Sequence, residues 1–391
     1  MAGSWRTLCL MDLAFGSTLV RPSSVVPTPP CWWIVVSESD TAEMMEKSGG
    51  KGFSIGLGLT NECNLACAHC YRDTGRIDRL SLDDVRRVCE NVPVGSLNLG
   101  TGENGLHPEF HAILEYLRER GTMVALTSNG YTAAVLNDDE LRSFADVEFS
   151  LDFATEREQD SWRGPGNWRL VLDQTARALR LGVSVTIIAV MMRTNYDKLP
   201  EIGALAARHG ANFRVNVYQP VKTDAFSLDY EQFWAGFQGL LESCPLAVCN
   251  EPIVRAILGF EAVAGGCGKG TIRVTPKGDV LPCVYWPKRN VSLAELEKMG
   301  AAIVDSPAFR ELDHVPQFCG NCRFVESCRG GCPSRRLLRG GLDLPDEFCP
   351  FAAGKPVPSF ASHAGSLRQF PKAGSACTTV FGAQDHGERK S

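Results

Sequence analysis

The sequence has no excess of basic residues and no apolar run long enough to cross a membrane. Its 391 residues include 40 Lys and Arg against 45 Asp and Glu, which gives a net charge of −5 at pH 7. A polybasic surface that would attract nucleic acid or anionic lipid is therefore not expected. No stretch approaches the ~20 apolar residues of a membrane span. We expect neither a nucleic-acid nor a membrane partner.

The first residues also lack the pattern of a secretory signal. The stretch "LCLMDLAFGSTLV" is mildly apolar, but Asp12 interrupts it and Arg6 is the one basic residue before it. A signal peptide has an uninterrupted apolar core behind a basic region. The sequence therefore predicts a cytoplasmic protein, in a compartment where thiols stay reduced.

Cysteine is abundant, with 16 residues in the chain. In a reducing compartment such a count favours metal binding over disulfides. Cys63, Cys67 and Cys70 lie at C-x3-C-x2-C spacing in "CNLACAHC". His69 is the immediate neighbour of Cys70 and is poorly placed to complete a zinc site, so we expect an oriented histidine beside the ligands. Three thiolates with an open position fit a [4Fe–4S] cluster better than zinc.

Strand-like apolar runs alternate with helical patterns six times between residues 53 and about 220. This alternation predicts an α/β fold with a parallel sheet, and six units suggest a partial (β/α)6 TIM-like barrel. Cys89 falls on the apolar face of one predicted helix and is expected in the core. The predicted regions are an irregular extension over 1–52, the barrel over 53–225, a linker helix and small cysteine-rich iron–sulfur domain over 226–351, and a disordered tail over 352–391.

"CNLACAHC" follows the first strand, at the end of the sheet where such folds carry their chemistry. In this respect the sequence resembles the radical S-adenosylmethionine (radical SAM) superfamily. The resemblance implies that Cys63, Cys67 and Cys70 are the catalytic ligands of a [4Fe–4S] cluster. The open iron would bind S-adenosylmethionine (SAM), whose reductive cleavage gives a 5′-deoxyadenosyl radical that takes hydrogen from a substrate.

Further family motifs occur in order at the ends of the predicted strands, at "GTGE", "TSNG", "SLD", "WRG" and "RTN". In "GTGE", Thr101 interrupts the glycine pair of the family motif and no proline follows the glutamate. The resemblance implies contacts with the SAM adenine, amino group, ribose and carboxylate from Tyr71, Gly100, Gly102, Glu103, Ser150, Asp152, Arg163 and Asn195.

The later cysteines resemble the SPASM domain, the auxiliary iron–sulfur extension of peptide-modifying radical SAM enzymes. The resemblance implies two auxiliary [4Fe–4S] clusters, one held by Cys319, Cys322, Cys328 and Cys349, and the other by Cys267, Cys283 and Cys332. The second cluster would keep an open iron, or be closed by Cys249, Cys244 or Glu261. A zinc-ribbon domain is the alternative, but zinc alone does not explain the upstream triad.

The resemblance implies an enzyme that acts on a peptide or protein, most simply one that matures a ribosomally synthesised peptide by crosslinking, thioether formation or backbone excision. The alternatives are an anaerobic sulfatase-maturing (formylglycine-forming) enzyme and a non-enzymatic iron–sulfur electron carrier or scaffold. The expected partners include a low-potential reductant such as flavodoxin or ferredoxin. Because 1–52 is short and irregular, we expect leader recognition by a separate protein, or a substrate that needs none.

Overall fold

The structure is a computed structural model, and it describes residues 52–260, 267–289, 291–360 and 379–382. The sequence extension over 1–52 lies almost wholly outside the described residues. Six parallel strands in consecutive order form the centre of one sheet. They are β1 (Phe53–Leu57), β2 (Val94–Leu99), β3 (Val124–Ser128), β4 (Asp146–Ser150), β5 (Ser184–Met191) and β6 (Asn212–Val217).

Helices connect these strands and cover one face of the sheet. They are α1 (Leu82–Asn91), α2 (Phe110–Glu119), α3 (Tyr131–Val135), α4 (Asp138–Arg142), α5 (Glu156–Arg163), α6 (Asn167–Arg180) and α7 (Leu199–Arg208). Ser81 caps α1 as its sequence predicts, because its side chain accepts a hydrogen bond from the Asp84 amide. The apolar face of α1 is buried, and Cys89 on that face is 3% exposed, which confirms it as a core residue. The partial (β/α)6 barrel predicted from the sequence is confirmed.

The central sheet is extended at both edges. β8 (Thr271–Val274) pairs in parallel with β1, and β9 (Val280–Leu281) pairs antiparallel with β8. At the other edge β10 (Thr379–Phe381) lies antiparallel between β6 and β7 (Leu246–Cys249). The cysteine-rich region is thus joined to the barrel through one sheet. The prediction of a disordered tail over 352–391 is wrong for β10, whose backbone is paired on both sides.

The region after the barrel contains one long helix and several short ones. They are α8 (Tyr230–Ser243), α9 (Pro252–Ile257), α10 (Leu293–Met299), α11 (Pro307–Arg310), α12 (Val325–Cys328) and α13 (Pro333–Leu338). α8 occupies the place of the predicted linker helix. None of the described helices is both long and apolar enough to cross a membrane.

Candidate active site

The cysteine motif forms the loop that follows β1. Cys63, Cys67 and Cys70 are free, partly buried thiols on this loop, and all three line a cavity of about 440 Å³ at the carboxyl ends of the strands. The Cys70 amide donates to the Cys67 carbonyl at 3.1 Å. The guanidinium of Arg72 donates to the carbonyls of Asn61, at 2.7 Å, and Leu65, and so closes the loop. The structure therefore brings the triad together as the spacing predicts.

Burial disfavours the thiolate form of two of these cysteines. Burial raises the pKa of Cys63 to about 11. Burial also raises the pKa of Cys67, and the positive charge of Arg163 opposes that shift. Because thiolate is the ligand form, binding of iron would release protons from these groups.

The donor set fits an iron–sulfur cluster. Within the parts of the chain that the structure describes, no three Cys, His, Asp or Glu side chains are placed to hold a metal ion. A [4Fe–4S] cluster is held differently, since its thiolates ligate different irons. Three free thiols on one loop beside a cavity match that arrangement.

The "GTGE" turn after β2 packs directly against the cysteine loop. Gly102 has φ +65°, and a Cβ there would lie 2.4 Å from the carbonyl oxygens of Thr60 and Glu62. Only glycine can occupy this position without moving backbone. The amide of Glu103 donates to the Glu62 carbonyl at 2.8 Å. Gly100, Gly102 and Glu103 all line the cavity, and their contact with SAM stays a prediction.

The carboxylate of Glu103 is hydrogen-bonded to the turn that follows β3. It is 1% exposed and accepts from the Asn129 amide at 2.9 Å and the Thr132 amide at 2.8 Å. The hydroxyls of Ser128 and Thr132 donate to it as well. Burial raises the pKa of Glu103, and these hydrogen bonds oppose the shift. The carboxylate therefore fixes the "TSNG" turn, a role the sequence analysis missed, and its contact with SAM stays a prediction.

The "TSNG" turn in turn reaches the cysteine loop. The side-chain amide of Asn129 donates to Asn64 Oδ1 at 2.9 Å and lies 3.6 Å from the sulfur of Cys63. Asn129 lines the cavity but was not among the predicted contacts. Its place in "TSNG", at the end of a strand, was the available signal.

Asp152 and Asn195 lie behind the cavity wall. Asp152 is fully buried and accepts from the Arg163 guanidinium at 2.8 Å and 2.7 Å. Asn195 is also fully buried and donates to the Asp152 carbonyl at 3.1 Å and to the Val190 carbonyl at 3.0 Å. In this arrangement the side chain of Asn195 is hydrogen-bonded to neighbouring backbone through both its oxygen and its nitrogen. The predicted contacts of Asp152 and Asn195 with SAM stay predictions.

Arg163 does line the cavity, as does Ser150. Asp152 directs the Arg163 guanidinium toward the cysteine loop, where Nη1 lies 4.0 Å from Cys67 Sγ. His69 also faces Asp152, with 3.5 Å between Nε2 and the carboxylate, and its ring stacks on Trp162. Burial lowers the pKa of His69. The carboxylate of Asp152 thus orients two side chains beside the triad.

Tyr71 follows the triad and lines the cavity, as predicted. Its hydroxyl lies 3.0 Å from the hydroxyl of Thr101. Its ring makes an edge contact with Tyr285 from the cysteine-rich region, at 5.4 Å between centroids. The two regions therefore meet at this wall of the cavity.

The first auxiliary group is brought together in the cysteine-rich region. Cys319 and Cys322 are linked by a backbone hydrogen bond of 3.0 Å. Burial and the neighbouring Cys349 and Cys322 thiols raise the pKa of Cys319. Burial, with a contribution from Asp346, raises the pKa of Cys328 to about 12. These effects indicate that Cys349 lies near both Cys319 and Cys328. That the four thiols hold one cluster stays a prediction.

The cysteines predicted to hold the second auxiliary cluster lie in three different parts of the cysteine-rich region. Cys267 forms a parallel backbone bridge with Thr271, the first residue of β8. Cys283 follows β9 and accepts from the Tyr285 amide at 3.5 Å, and Cys332 is the N-cap residue of α13. The Cys332 amide donates to Asp346 Oδ2 at 2.8 Å. That these three share one cluster stays a prediction.

The structure also locates two of the residues considered as a fourth ligand. The Cys244 sulfur would lie 2.6 Å from a Cβ at Gly203, so it packs into the core beside α7. The Cys249 sulfur lies 3.6 Å from the Thr379 hydroxyl, between β7 and β10. Glu261 lies outside the described residues.

Comparison with protein families matches residues 57–206 to the Radical SAM superfamily. The matched residues run from the end of β1 into α7. The match implies a [4Fe–4S] cluster and SAM as its partner. That Cys63, Cys67 and Cys70 hold this cluster stays a prediction.

Several known proteins resemble the chain over most of its length. The mycofactocin maturase MftC of Mycobacterium tuberculosis is 29% identical over 328 residues, which cover 76% of this chain and 83% of the relative. The PqqA peptide cyclase of Ruegeria pomeroyi is 26% identical over 74% of this chain and 85% of its own length. The crystal structure of Streptococcus suis SuiB bound to its precursor peptide SuiA superposes with a TM-score of 0.60 at 15% identity, over 80% of this chain and 79% of SuiB. The structural match supports the fold alone.

Proposed function

We propose that the protein is a radical SAM enzyme that matures a ribosomally synthesised peptide. The observation that carries the proposal is the triad of free thiols on the loop after β1, which lines a cavity together with the "GTGE" turn and Arg163. The names of two relatives, a maturase and a peptide cyclase, support a peptide substrate.

The side chains of the cavity have separable tasks. Cys63, Cys67 and Cys70 would each hold one iron as thiolate. When bound, the cluster and SAM would supply an electron and a 5′-deoxyadenosyl radical, the chemistry that cofactors carry for the protein. Arg163 places a positive charge near Cys67, which would stabilise the thiolate form of that ligand.

The walls of the cavity would shield a reactive species from water. Tyr71, Tyr218, Tyr285 and Trp286 line it, and Trp286 is 2% exposed. Aromatic walls contribute large apolar area with few rotatable bonds, so they keep a fixed shape around a ligand. Exclusion of water protects a radical from side reactions.

The cysteine-rich region would hold two auxiliary [4Fe–4S] clusters. The mutual proximity of Cys319, Cys322, Cys328 and Cys349 supports the first site. For the second, with Cys267, Cys283 and Cys332, the packing of Cys244 in the core favours the open alternative over closure by that residue. The reduced thiols that these clusters need agree with the cytoplasmic location expected from the sequence.

The proposed reaction would also use partner proteins. A low-potential reductant such as flavodoxin or ferredoxin would deliver the electron. A separate leader-binding protein would present the precursor peptide, unless the substrate needs no leader.

The decisive experiment is an anaerobic assay of the reconstituted protein. We expect SAM to be converted to 5′-deoxyadenosine and methionine after reduction, and a co-expressed precursor peptide to change mass. A protein that binds clusters but never forms 5′-deoxyadenosine would instead be an electron carrier or scaffold.

A further inference from the structure

Thr101 has an unusual backbone conformation for its residue type. Its φ is +82°, and Arg329 is the only other non-glycine residue with positive φ in the described part of the chain. A β-branched side chain is strongly disfavoured in this region because its Cβ crowds the backbone. Such a conformation persists only where surrounding contacts enforce it, and it points to a function at that position.

The contacts that enforce it come from the cysteine loop and the cysteine-rich region. The Thr101 hydroxyl lies 3.0 Å from the Tyr71 hydroxyl. A Cβ at Gly58 would lie 3.2 Å from Thr101 Cβ and 2.9 Å from Pro276 Cδ, so Thr101 and Pro276 both fill the space above Gly58. The threonine side chain is therefore held in place and directed at Tyr71.

Tyr71 connects the two cysteine regions. It directly follows Cys70, the last thiol of the triad. Its ring meets Tyr285 at 5.4 Å and 79°, and the Tyr285 amide donates to the sulfur of Cys283. A continuous set of contacts thus runs from the triad through Tyr71 and Tyr285 to Cys283.

We propose that Thr101 is a positioning residue that holds Tyr71 against Tyr285, and that it thereby fixes the wall shared by the SAM site and the Cys283 site. The inference rests on the proposed function. Glycine at this position would suit the backbone better, so a threonine with φ +82° is explained by what its hydroxyl holds. Thr101 acts through Tyr71, without reacting itself.

The test compares Thr101→Gly with Thr101→Ser and Tyr71→Phe in the reconstituted protein. Thr101→Gly removes both the strain and the hydroxyl. We expect it to unfold at the same temperature as wild type or higher, yet to bind SAM about three- to tenfold more weakly, the range of one lost hydrogen bond. Thr101→Ser keeps the hydroxyl and should bind SAM within about twofold of wild type.

A double variant shows whether Thr101 and Tyr71 affect SAM binding through their contact with each other or independently. If Thr101 acts through Tyr71, then Thr101→Gly combined with Tyr71→Phe should bind SAM no more weakly than the worse single variant. In wild type, SAM should also perturb the EPR signal of the cluster at Cys283, and that perturbation should be lost in Thr101→Gly. Tyr116→Phe, on α2 outside the cavity, is the matched control and should behave as wild type.

The outcomes are distinct. Unchanged SAM affinity in Thr101→Gly, or additive losses in the double variant, would overturn the positioning role while leaving the enzyme assignment intact. A wild-type protein that bound no SAM would overturn the proposed function, and this inference with it.

Discussion

The barrel and the cysteine-rich region are stabilised in different ways. The barrel strands bury aliphatic side chains completely, for example Ile55, Leu97 and Leu126, each at 0% exposure. The cysteine-rich segment from 310 to 347 has no strand, and its largest buried side chains are Arg335 and Arg336, each 1% exposed. Apolar burial is the main source of folding free energy, so the barrel has what it needs to fold. Cys319 and Cys332 are the only buried hydrophobic side chains between residues 310 and 347, so this segment has little apolar core and many potential ligands.

In the barrel, the residues that stabilise the fold differ from those that form the site. In the cysteine-rich region, the same residues would do both. In the barrel, regular strands position a functional loop that could be altered without loss of the fold. In the cysteine-rich region the thiols lie between short helices, so bound metal would itself hold the chain together.

The largest effect is expected from the triad. Replacement of Cys63, Cys67 and Cys70 by alanine should abolish 5′-deoxyadenosine formation. Iron should fall from about twelve to about eight atoms per chain, since each cubane holds ~four. Iron analysis and product chromatography would measure both. Formation of 5′-deoxyadenosine by the triple variant would show that the catalytic assignment is incorrect.

Removal of the metal should affect the cysteine-rich region more than the barrel. After chelation, we expect hydrogen exchange in residues 291–349 to accelerate strongly, while β3, β4 and β5 keep their protection. The physical reason is that the strands retain their apolar packing whereas the cysteine-rich region loses its ligands. Hydrogen-exchange mass spectrometry of the apo and reconstituted proteins would measure it. Equal protection of both regions in the apo protein would refute the idea that metal organises the second.

The sequence predicted the features that depend on local patterns, and it missed those that depend on contacts between distant residues. The six β/α units follow from periodicity, and the triad from spacing, because both are local signals. Asp152 and Asn195 are fully buried, and the bond between Asn195 and the Asp152 carbonyl joins residues that are distant in sequence, so it could not be read from a local pattern. β10 was missed because a three-residue strand has no periodic signal, and only pairing with β6 and β7 creates it. Thr101 was noted as a departure from a motif, but its backbone angle could not be read from sequence.

The buried ion pairs of the cysteine-rich region give a smaller effect. Asp346 accepts from the Arg335 guanidinium at 2.6 Å and 2.9 Å and from the Cys332 amide, and both charged side chains are 1% exposed. Asp346→Ala leaves the Arg335 guanidinium paired with the carboxylate of Glu251, and we expect a loss of about 3–5 kcal/mol in the free energy of unfolding.

A matched control is Asp139→Ala, which removes an exposed pair with Arg142 on α4 and should cost less than about 1 kcal/mol. Denaturant titration of the reconstituted proteins would compare the two. Similar losses in both variants would mean that burial does not set the strength of the pair at Asp346.

The smallest expected effect is on the pH dependence of the free energy of unfolding, and it comes from Asp146, at the opposite end of the barrel from the cavity. Asp146 begins β4, and burial together with the charge of Glu148 raises its pKa to about 7. The unfolded value is about 3.9, so between about pH 4 and pH 7 the folded protein binds more protons at this site than the unfolded chain. This carboxyl therefore makes the free energy of unfolding fall as pH rises through that window, and its influence levels off above about pH 7.

Asp146→Asn removes the titration while keeping an oxygen that can accept from the Thr186 hydroxyl, 3.3 Å away. The variant should gain stability over wild type as pH rises from 5 to 8, by about 2 kcal/mol once relaxation around the buried charge is allowed for. Because Asp146 does not line the cavity, SAM cleavage should be unchanged. Urea titrations at several pH values, with the exposed Asp139→Asn as control, would measure the gain. A difference from wild type that did not vary with pH would show that Asp146 is ionised throughout, and that Arg214 and the strand hydroxyls outweigh the effect of burial.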